Sequence, residues 1–178
     1  MSEFLRLGLN PQLQRACDVV GYSLPTPIQE KAIPLLLQGH DVLGIAQTGT
    51  GKTAAYALPI LMRCKYMQGS LPRALILAPT RELVVQIYEV MVGLAQFTDL
   101  RILALYGGLG PKTQIQTLEA GVDILVSTPG RFLELYRKEA IGTKDLKYLI
   151  LDEADKMMDM GFMPQIRQIL EKIPYKKR

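Results

Sequence analysis

Two glycines, a lysine and a threonine stand close together between an apolar run and a run of helix-forming residues. Gly49 and Gly51 let the backbone curl so that successive N–H groups face inward, and a helix that begins after them adds the positive end of its dipole. Lys52 would neutralise the outer phosphates of a nucleotide, and the Thr53 hydroxyl would bind Mg²⁺. The stretch predicts a nucleoside triphosphate site, and the alternative is an ordinary glycine-rich turn. The residues of this phosphate loop are Ala46, Gln47, Thr48, Gly49, Thr50, Gly51, Lys52 and Thr53.

Three carboxylates follow an apolar run near the end of the chain. The run Tyr148 to Leu151 is typical of a buried strand, and Asp152, Glu153 and, after one alanine, Asp155 come directly after it. If this strand lies beside the one before the phosphate loop, Asp152 can hold Mg²⁺ and Glu153 can position and activate an attacking water. The alternative is an acidic surface turn or the first turn of a helix, where carboxylates are also favoured.

Two other apolar runs end on a threonine that is followed by an arginine. The threonine stands where a helix N-cap belongs, and the arginine falls in the first helical turn, where its charge opposes the helix dipole. A bound anion would explain both arginines, because open α/β sheets bind ligands at the carboxyl ends of their strands. Plain capping is the alternative. A glycine pair after another run would let a backbone approach closely. These candidate phosphate-backbone contacts are Pro79, Thr80, Arg81, Gly107, Gly108, Thr128, Pro129, Gly130 and Arg131.

Strand-like apolar runs alternate with helical patterns along the chain. Such alternation is typical of an α/β protein with a mostly parallel sheet and helices on both faces. A last helix is predicted over Met163 to Ile173, and we expect the basic tail after it to be solvated. The predicted strands are Val42 to Ala46, Ala74 to Ala78, Arg101 to Tyr106, Asp123 to Ser127 and Lys147 to Leu151.

Helix caps organise the first thirty residues. Asn10 is placed to cap a helix that has Pro11 at its first position and stops at Gly21. Thr26 is placed to cap a second helix, with Gln29 reaching back in a capping box. The alternative for Gln29 is that its amide, which both donates and accepts, reads the edge of an adenine.

Composition fits one globular domain. The 178 residues are 48% hydrophobic, which is enough to fill a core. A net charge of +4 suits a polyanionic partner and equally an ordinary soluble surface. Cys17 and Cys64 lack metal-type spacing and no basic-then-apolar leader is visible, so we expect a reducing, cytoplasmic setting. No apolar run approaches membrane-spanning length, and no membrane partner is expected.

The motifs and their order along the chain resemble those of the first RecA-like domain of the DEAD-box ATP-dependent RNA helicases. The resemblance covers nearly the whole chain. The family commonly has alanine where Ala46 replaces the first glycine of the strict P-loop pattern. The resemblance implies a Q-motif region over residues 1–30 and a RecA-like domain over residues 31–178. The matching stretches are Gly21 to Gln29 for the Q motif, Ala46 to Thr53 for motif I, Pro79 to Leu83 for motif Ia, Gly107-Gly108 for motif Ib, Thr128 to Arg131 for the TPGR element and Asp152 to Asp155 for motif II.

The resemblance implies ATP as the nucleotide. Phe4, as the aromatic upstream of the Q motif, would stack on adenine, and Gln29 would bind its edge. Lys52, Asp152 and Glu153 would be the catalytic residues.

Further roles follow from the same resemblance. Thr53 and Asp152 would hold Mg²⁺, and Asp155 would link to motif III and to domain closure. The strand-end residues named above would contact the RNA backbone rather than its bases, which predicts binding without sequence readout. The segment Met157 to Phe162 is similar to the RhlE-type branch of bacteria.

The resemblance also implies two parts that this chain does not reach. They are motif III and a second RecA-like domain, which would supply half of the RNA groove and arginine fingers worth roughly 10³ to 10⁵ in rate. We therefore expect this chain alone to bind nucleotide with little or no turnover. Two alternatives are a non-catalytic module that binds ATP, RNA or a partner, and a P-loop motor acting on DNA. The Phe4 and Gln29 pair argues against the second.

Overall fold

The computed structural model describes residues 3–108 and 110–174. These residues form two compact units, which are described separately below. The first unit lies within Met1–Tyr66 and Glu89–Leu100, and the second within Met67–Tyr88 and Arg101–Arg178. The basic tail expected to be solvated, residues 175–178, lies outside the described residues.

The first unit is helical, and its helix starts follow the predicted caps. The Asn10 side chain accepts a hydrogen bond from the Leu13 N–H at 2.9 Å at the start of α1. Thr26 is the N-cap of α2, and α2 packs on α3. The elements are a short 3₁₀ helix (Glu3–Leu7), α1 (Pro11–Val19), α2 (Pro27–Gln38) and α3 (Lys52–Cys64).

The strand predicted over Val42 to Ala46 is wrong for the described structure. This segment has no regular secondary structure, and Leu43 and Ile45 are 87% and 88% exposed. A strand exists only when a neighbouring strand supplies its hydrogen bonds. Within the described ranges no strand pairs with this segment, so its apolar composition alone does not produce a strand.

The second unit contains a parallel sheet, as predicted. The described strands are ordered β2-β3-β1-β4, with Ala74 in register with Ile124 on one side and Tyr148 on the other. Each strand lies inside its predicted run, and no bound differs by more than one residue. The strands are β1 (Ala74–Leu77), β2 (Ile102–Leu105), β3 (Ile124–Ser127) and β4 (Tyr148–Leu151).

Helices connect and cover these strands. The hydrophobic core of the second unit is formed by sheet residues such as Leu75 and Leu125 and by helix residues such as Phe132 and Ile169. This arrangement confirms the predicted α/β class with an all-parallel sheet flanked by helices. The helices are α4 (Arg81–Ala95), which has residues in both units, α5 (Lys112–Glu119), α6 (Pro129–Arg137), α7 (Ala154–Asp159) and α8 (Met163–Lys172).

A buried ion cluster lies beside the amino end of β3. The Asp123 carboxylate is fully buried and accepts from Arg73 Nη2 at 2.9 Å and from Arg101 Nε at 3.0 Å. It also accepts from the Gln68 N–H at 3.1 Å. Because a buried carboxylate must be paired to be tolerated, these contacts tie together the segments that precede three of the strands.

Across the described ranges, no helix has both the length and the apolar character needed to cross a membrane.

Candidate functional site

The phosphate loop of the first unit leads directly into α3. Gly51 is the N-cap residue and has a left-handed backbone with φ 82°, so Lys52 is the first residue of the helix. The Lys52 ammonium donates to the Ala46 carbonyl at 2.8 Å and bridges the two ends of the loop. Thr53 follows in the first helical turn and is half-buried. The loop therefore brings a cation and a hydroxyl to a helix N-terminus, where the dipole favours an anion.

Gln29 connects this loop to the start of α2. Its Oε1 accepts from the Thr26 N–H at 2.9 Å, which is the capping contact that the sequence predicted. Its Nε2 donates to the Gly51 carbonyl at 3.1 Å, which the sequence did not predict. The side chain is only 3% exposed. Both polar atoms of the amide that could read an adenine edge are thus engaged within the first unit.

The fit around Gly51 is tight. A Cβ built on Gly51 would overlap Gln29 Nε2 and come within 3.1 Å of Thr26 Oγ1. With φ at 82°, the position is also in the left-handed region that side chains disfavour. The backbone conformation therefore favours glycine at this position, and a Cβ there would also displace the end of the Gln29 side chain.

Phe4, for which the resemblance implies stacking on adenine, is buried. Its side chain is 0% exposed and its ring stacks on Tyr22, with centroids 6.4 Å apart and an interplanar angle of 25°. Because the face that would stack on adenine is covered, adenine stacking requires the Phe4 ring to be uncovered. The role of Phe4 in nucleotide binding stays a prediction.

The carboxylates of the second unit stand at the carboxyl end of β4. Asp152 continues the sheet pairing, since its N–H donates to the Leu77 carbonyl at 2.9 Å. Glu153 has a left-handed backbone with φ 51° and is the N-cap of α7. Asp155 is exposed in the first turn of that helix. A glutamate in the left-handed region is strained, and such strain is common at functional sites.

The oxygen donors predicted for Mg²⁺ have suitable chemistry. Thr53 offers a hydroxyl and Asp152 a carboxylate, and Mg²⁺ prefers one or two such protein ligands together with phosphate oxygens and water. In the described ranges, no three histidine, cysteine, aspartate or glutamate residues are grouped so that they could hold a metal ion.

The strand-end motifs meet at one edge of the sheet, as predicted. β1, β2 and β3 are adjacent and parallel, so the residues that follow them lie at the same edge. Thr80 Oγ1 accepts from the Leu83 N–H at 3.2 Å and so caps α4. Thr128 is the N-cap of α6 without a side-chain capping bond. Pro79 and Pro129 are buried, whereas Arg81, Gly107, Gly108 and Gly130 are exposed.

Arg131 is buried, although the sequence suggested an RNA contact for it. Its Nε donates to the Tyr106 carbonyl at 3.1 Å, and its Nη1 pairs with Glu134 Oε2 at 2.7 Å. Hydrogen bonds from Lys138 and then Arg131 hold the pKa of Glu134 below its ordinary value. The guanidinium is thus engaged inside the second unit, and a direct contact of Arg131 with RNA stays a prediction.

Sequence reasoning missed Tyr106, which follows β2. The carbonyl of Tyr106 accepts from Arg131 Nε and from Gln114 Nε2 at 3.3 Å. The Arg81 guanidinium lies over its ring, 4.8 Å from the centroid. The signal available in the sequence was its place directly before Gly107-Gly108, but a lone aromatic residue predicts no such contacts.

Comparison with known proteins agrees with this arrangement of motifs. The DEAD/DEAH box helicase family model matches residues 26–178. The chain is 44% identical to DEAD-box ATP-dependent RNA helicase 28 of rice over 99% of this chain and 22% of that protein. It is 42% identical to DEAD-box ATP-dependent RNA helicase CshA of Streptococcus pneumoniae over 97% of this chain and 33% of that protein. It is 44% identical to ATP-dependent RNA helicase DeaD of Buchnera aphidicola over 97% of this chain and 29% of that protein.

The fold and the order of the motifs define a helicase-type nucleotide-binding domain. The chain belongs to the DEAD-box ATP-dependent RNA helicase family and corresponds to its N-terminal DEAD domain. It spans about a fifth to a third of the length of the relatives named above. Relatives of similar identity come from plants and from bacteria, so they do not assign the chain to the RhlE-type branch.

Proposed function

We propose that this chain is the ATP-binding domain of an enzyme that couples ATP binding and hydrolysis to local unwinding of RNA duplexes. The observation that carries the proposal is the phosphate loop, in which Lys52 begins α3 and Gln29 holds the Gly51 carbonyl. A triphosphate in this loop would replace the Ala46 carbonyl as the partner of the Lys52 ammonium. ATP is the substrate named for the related helicases.

Four side chains would take part in ATP hydrolysis. In the first unit, the Thr53 hydroxyl would bind Mg²⁺ and Lys52 would neutralise phosphate charge. In the second unit, Asp152 would offer Mg²⁺ a carboxylate oxygen and Glu153 would orient the attacking water and accept its proton. Bound Mg²⁺ supplies charge neutralisation at the phosphates.

RNA would bind at the strand-end edge of the second unit. Thr80, Arg81, Gly108 and Thr128 would contact backbone phosphates and sugars, and this mode of binding carries no base readout. The exposed Gly107 and Gly108 leave room for a polynucleotide backbone to approach. Asp155, exposed on α7, would communicate with a second RecA-like domain of the whole protein.

We also propose a cytoplasmic location. Cys17 and Cys64 are both buried thiols, which suits a reducing compartment. Burial and the neighbouring Asp18 raise the pKa of Cys17 to about 11, so this thiol stays protonated and unreactive.

Nucleotide binding is the first test. Calorimetric titration of the chain with ATP and Mg²⁺ should give a Kd that Lys52→Ala weakens by at least about tenfold, because a charge-assisted phosphate contact is lost. Lys65→Ala, at the end of α3, is the matched control and should leave the Kd unchanged. Equal binding of GTP and ATP would contradict the adenine-specific part of the proposal.

RNA-stimulated hydrolysis is the second test. The chain alone should release little phosphate, and adding the separately purified second RecA-like domain of a relative should restore RNA-dependent release. Glu153→Gln should abolish the restored activity. Turnover by the chain alone that Glu153→Gln removes would show that one domain suffices. Stimulation by single-stranded DNA as strong as by RNA would favour a DNA motor.

A further inference from the structure

Three contacts in the second unit converge on Tyr106. The Arg81 guanidinium lies 4.8 Å from the centroid of its ring. Its carbonyl accepts from Arg131 Nε at 3.1 Å and from Gln114 Nε2 at 3.3 Å. One residue therefore connects the first turn of α4, α5 and the first turn of α6, and the exposed Gly107 and Gly108 follow it directly.

The contact with the ring orients Arg81. A guanidinium stacked on an aromatic face keeps its N–H groups at its edge, where they remain available as donors. Arg81 itself is exposed, and within the described ranges its guanidinium takes part in no hydrogen bond or ion pair. Stacking thus reduces the conformational freedom of a long exposed side chain without using the donors that a phosphate would accept from.

The contacts with the carbonyl fix the position of Tyr106. Arg131 is buried, and Glu134 balances its charge. Gln114 is 8% exposed, and its Oε1 has no hydrogen-bond partner in the part of the chain that the structure describes. Burying this amide with an unpaired oxygen therefore costs free energy of folding. Among the described residues, its Nε2 donates to the Tyr106 carbonyl. Two buried side chains, Arg131 and Gln114, therefore donate to this carbonyl and fix its position.

We infer that Tyr106 is a positioning residue for RNA binding, which holds the Arg81 guanidinium toward a backbone phosphate while Arg131 and Gln114 fix Tyr106 itself. The inference rests on the proposed RNA-binding function. It assigns Arg131 an indirect role, through the Tyr106 carbonyl, in place of a contact with the nucleic acid.

The first test is RNA affinity as a function of salt. Fluorescence anisotropy of a labelled single-stranded oligouridylate is measured with the chain over a series of KCl concentrations. Tyr106→Leu should weaken binding by about three- to tenfold and lower the salt slope by about one phosphate contact. Tyr106→Phe keeps the ring and should bind like the parent chain. Tyr66→Leu replaces an exposed tyrosine of the first unit and is the matched control.

A double-mutant cycle distinguishes positioning from a general effect on folding. If Tyr106 acts through Arg81, Arg81→Ala with Tyr106→Leu should bind no more weakly than Arg81→Ala alone. Additive losses, or weaker binding by Tyr106→Leu with an unchanged salt slope, would overturn the inference. Thermal unfolding of each variant accompanies the titrations, so that loss of the folded chain is recognised directly.

A measurement without RNA separates the inference from the proposed function. In ¹⁵N–¹H spectra, the Arg81 Nε–H resonance, assigned by its loss in Arg81→Lys, should lie upfield in the parent chain and in Tyr106→Phe. It should move downfield in Tyr106→Leu, which lacks the ring current. An unchanged resonance refutes the stacking and with it the inference. If the resonance moves but the parent chain binds no RNA, the RNA-binding function fails and the positioning role with it.

Discussion

Gln29 Nε2 donates to the Gly51 carbonyl at 3.1 Å while Gln29 Oε1 accepts from the Thr26 N–H at 2.9 Å, so one amide fixes both a helix start and the phosphate loop. The capping half of this relationship is local and is evident in the sequence. The other half joins residues 22 positions apart. The two halves can be separated by substitution, because one uses the acceptor and the other the donor of the same side chain.

Gln29→Glu should keep the helix cap and damage the loop. The carboxylate still accepts from Thr26 N–H, but it cannot donate to the Gly51 carbonyl and places negative charge beside the phosphate loop. We expect ATP affinity to fall by at least about tenfold, with a smaller change in thermal stability than Gln29→Ala causes. Calorimetry and thermal melts measure the two effects. Gln38→Glu, exposed at the end of α2, is the control, and equal affinity losses in both variants would contradict the prediction.

Gly51→Ala should be more harmful than Gly49→Ala. Both glycines have positive φ, 82° and 78°, so an alanine at either is strained by about 1–2 kcal/mol. A Cβ at Gly51 also overlaps Gln29, whereas a Cβ at Gly49 has nothing within 4 Å. The difference between the two free energies of unfolding, measured in urea, therefore isolates the steric contact. Equal values would mean that Gln29 moves aside without cost.

Asp123 should make the stability of the chain sensitive to acid. Burial alone would raise the pKa of Asp123, but hydrogen bonds from Arg101, Gln68 N–H and Arg73 outweigh it and hold the pKa below its ordinary value. The native state therefore binds this proton less readily than the unfolded state does. The stabilisation is fully present above the unfolded pKa of about 3.9 and is lost as the pH falls through the lower folded pKa.

Replacing Asp123 tests whether its carboxylate makes the stability of the chain sensitive to acid. Asp123→Asn should lower the free energy of unfolding near neutral pH by about 3–5 kcal/mol, because the buried Arg73 and the partly buried Arg101 lose their counter-charge. It should also flatten the decrease in stability below about pH 4. Urea unfolding at a series of pH values measures both, with Asp159→Asn on the exposed face of α7 as the control. If the slope of the unfolding free energy against pH below about pH 4 is unchanged, other carboxylates dominate the sensitivity to acid.

Glu153→Gly should stabilise the chain while abolishing the hydrolysis that a second RecA-like domain restores. Glu153 and Glu139 both have a left-handed backbone, with φ 51° and 59°, and glycine relieves that strain by about 1 kcal/mol. Glu139→Gly should give the same stabilisation and leave RNA-stimulated hydrolysis, assayed with a second RecA-like domain, unchanged. Glu153→Gly should abolish it, because the carboxylate that would activate water is lost. If neither variant has a higher melting temperature than the parent chain, the strain assigned to these two left-handed residues is contradicted.

Local signals in the sequence predicted much of this structure. Asn10 and Thr26 begin helices as expected, and the four observed strands fall within runs chosen from apolar pattern alone. These features depend on neighbours along the chain or on a repeating apolar pattern, which a sequence displays directly.

Features that depend on distant neighbours were not predicted. Val42 to Ala46 has the composition of a strand but lacks a pairing partner among the described residues. Phe4 and Arg131, which were predicted to contact adenine and RNA, are buried: Phe4 stacks on Tyr22, and Arg131 binds the Tyr106 carbonyl and Glu134. Tyr106 was missed because its role comes from three residues that only the fold brings to it.

The exposed segment Val42 to Ala46 has a practical consequence for handling the protein. It places four consecutive apolar or small residues, 42–45, in solvent, with Leu43 and Ile45 almost fully exposed. Short apolar segments without charge or proline, and with unpaired backbone groups, are those through which chains self-associate into β-rich aggregates. We therefore expect this segment to start aggregation in concentrated solutions of the chain. Leu43→Lys should slow that aggregation without altering the fold of either unit.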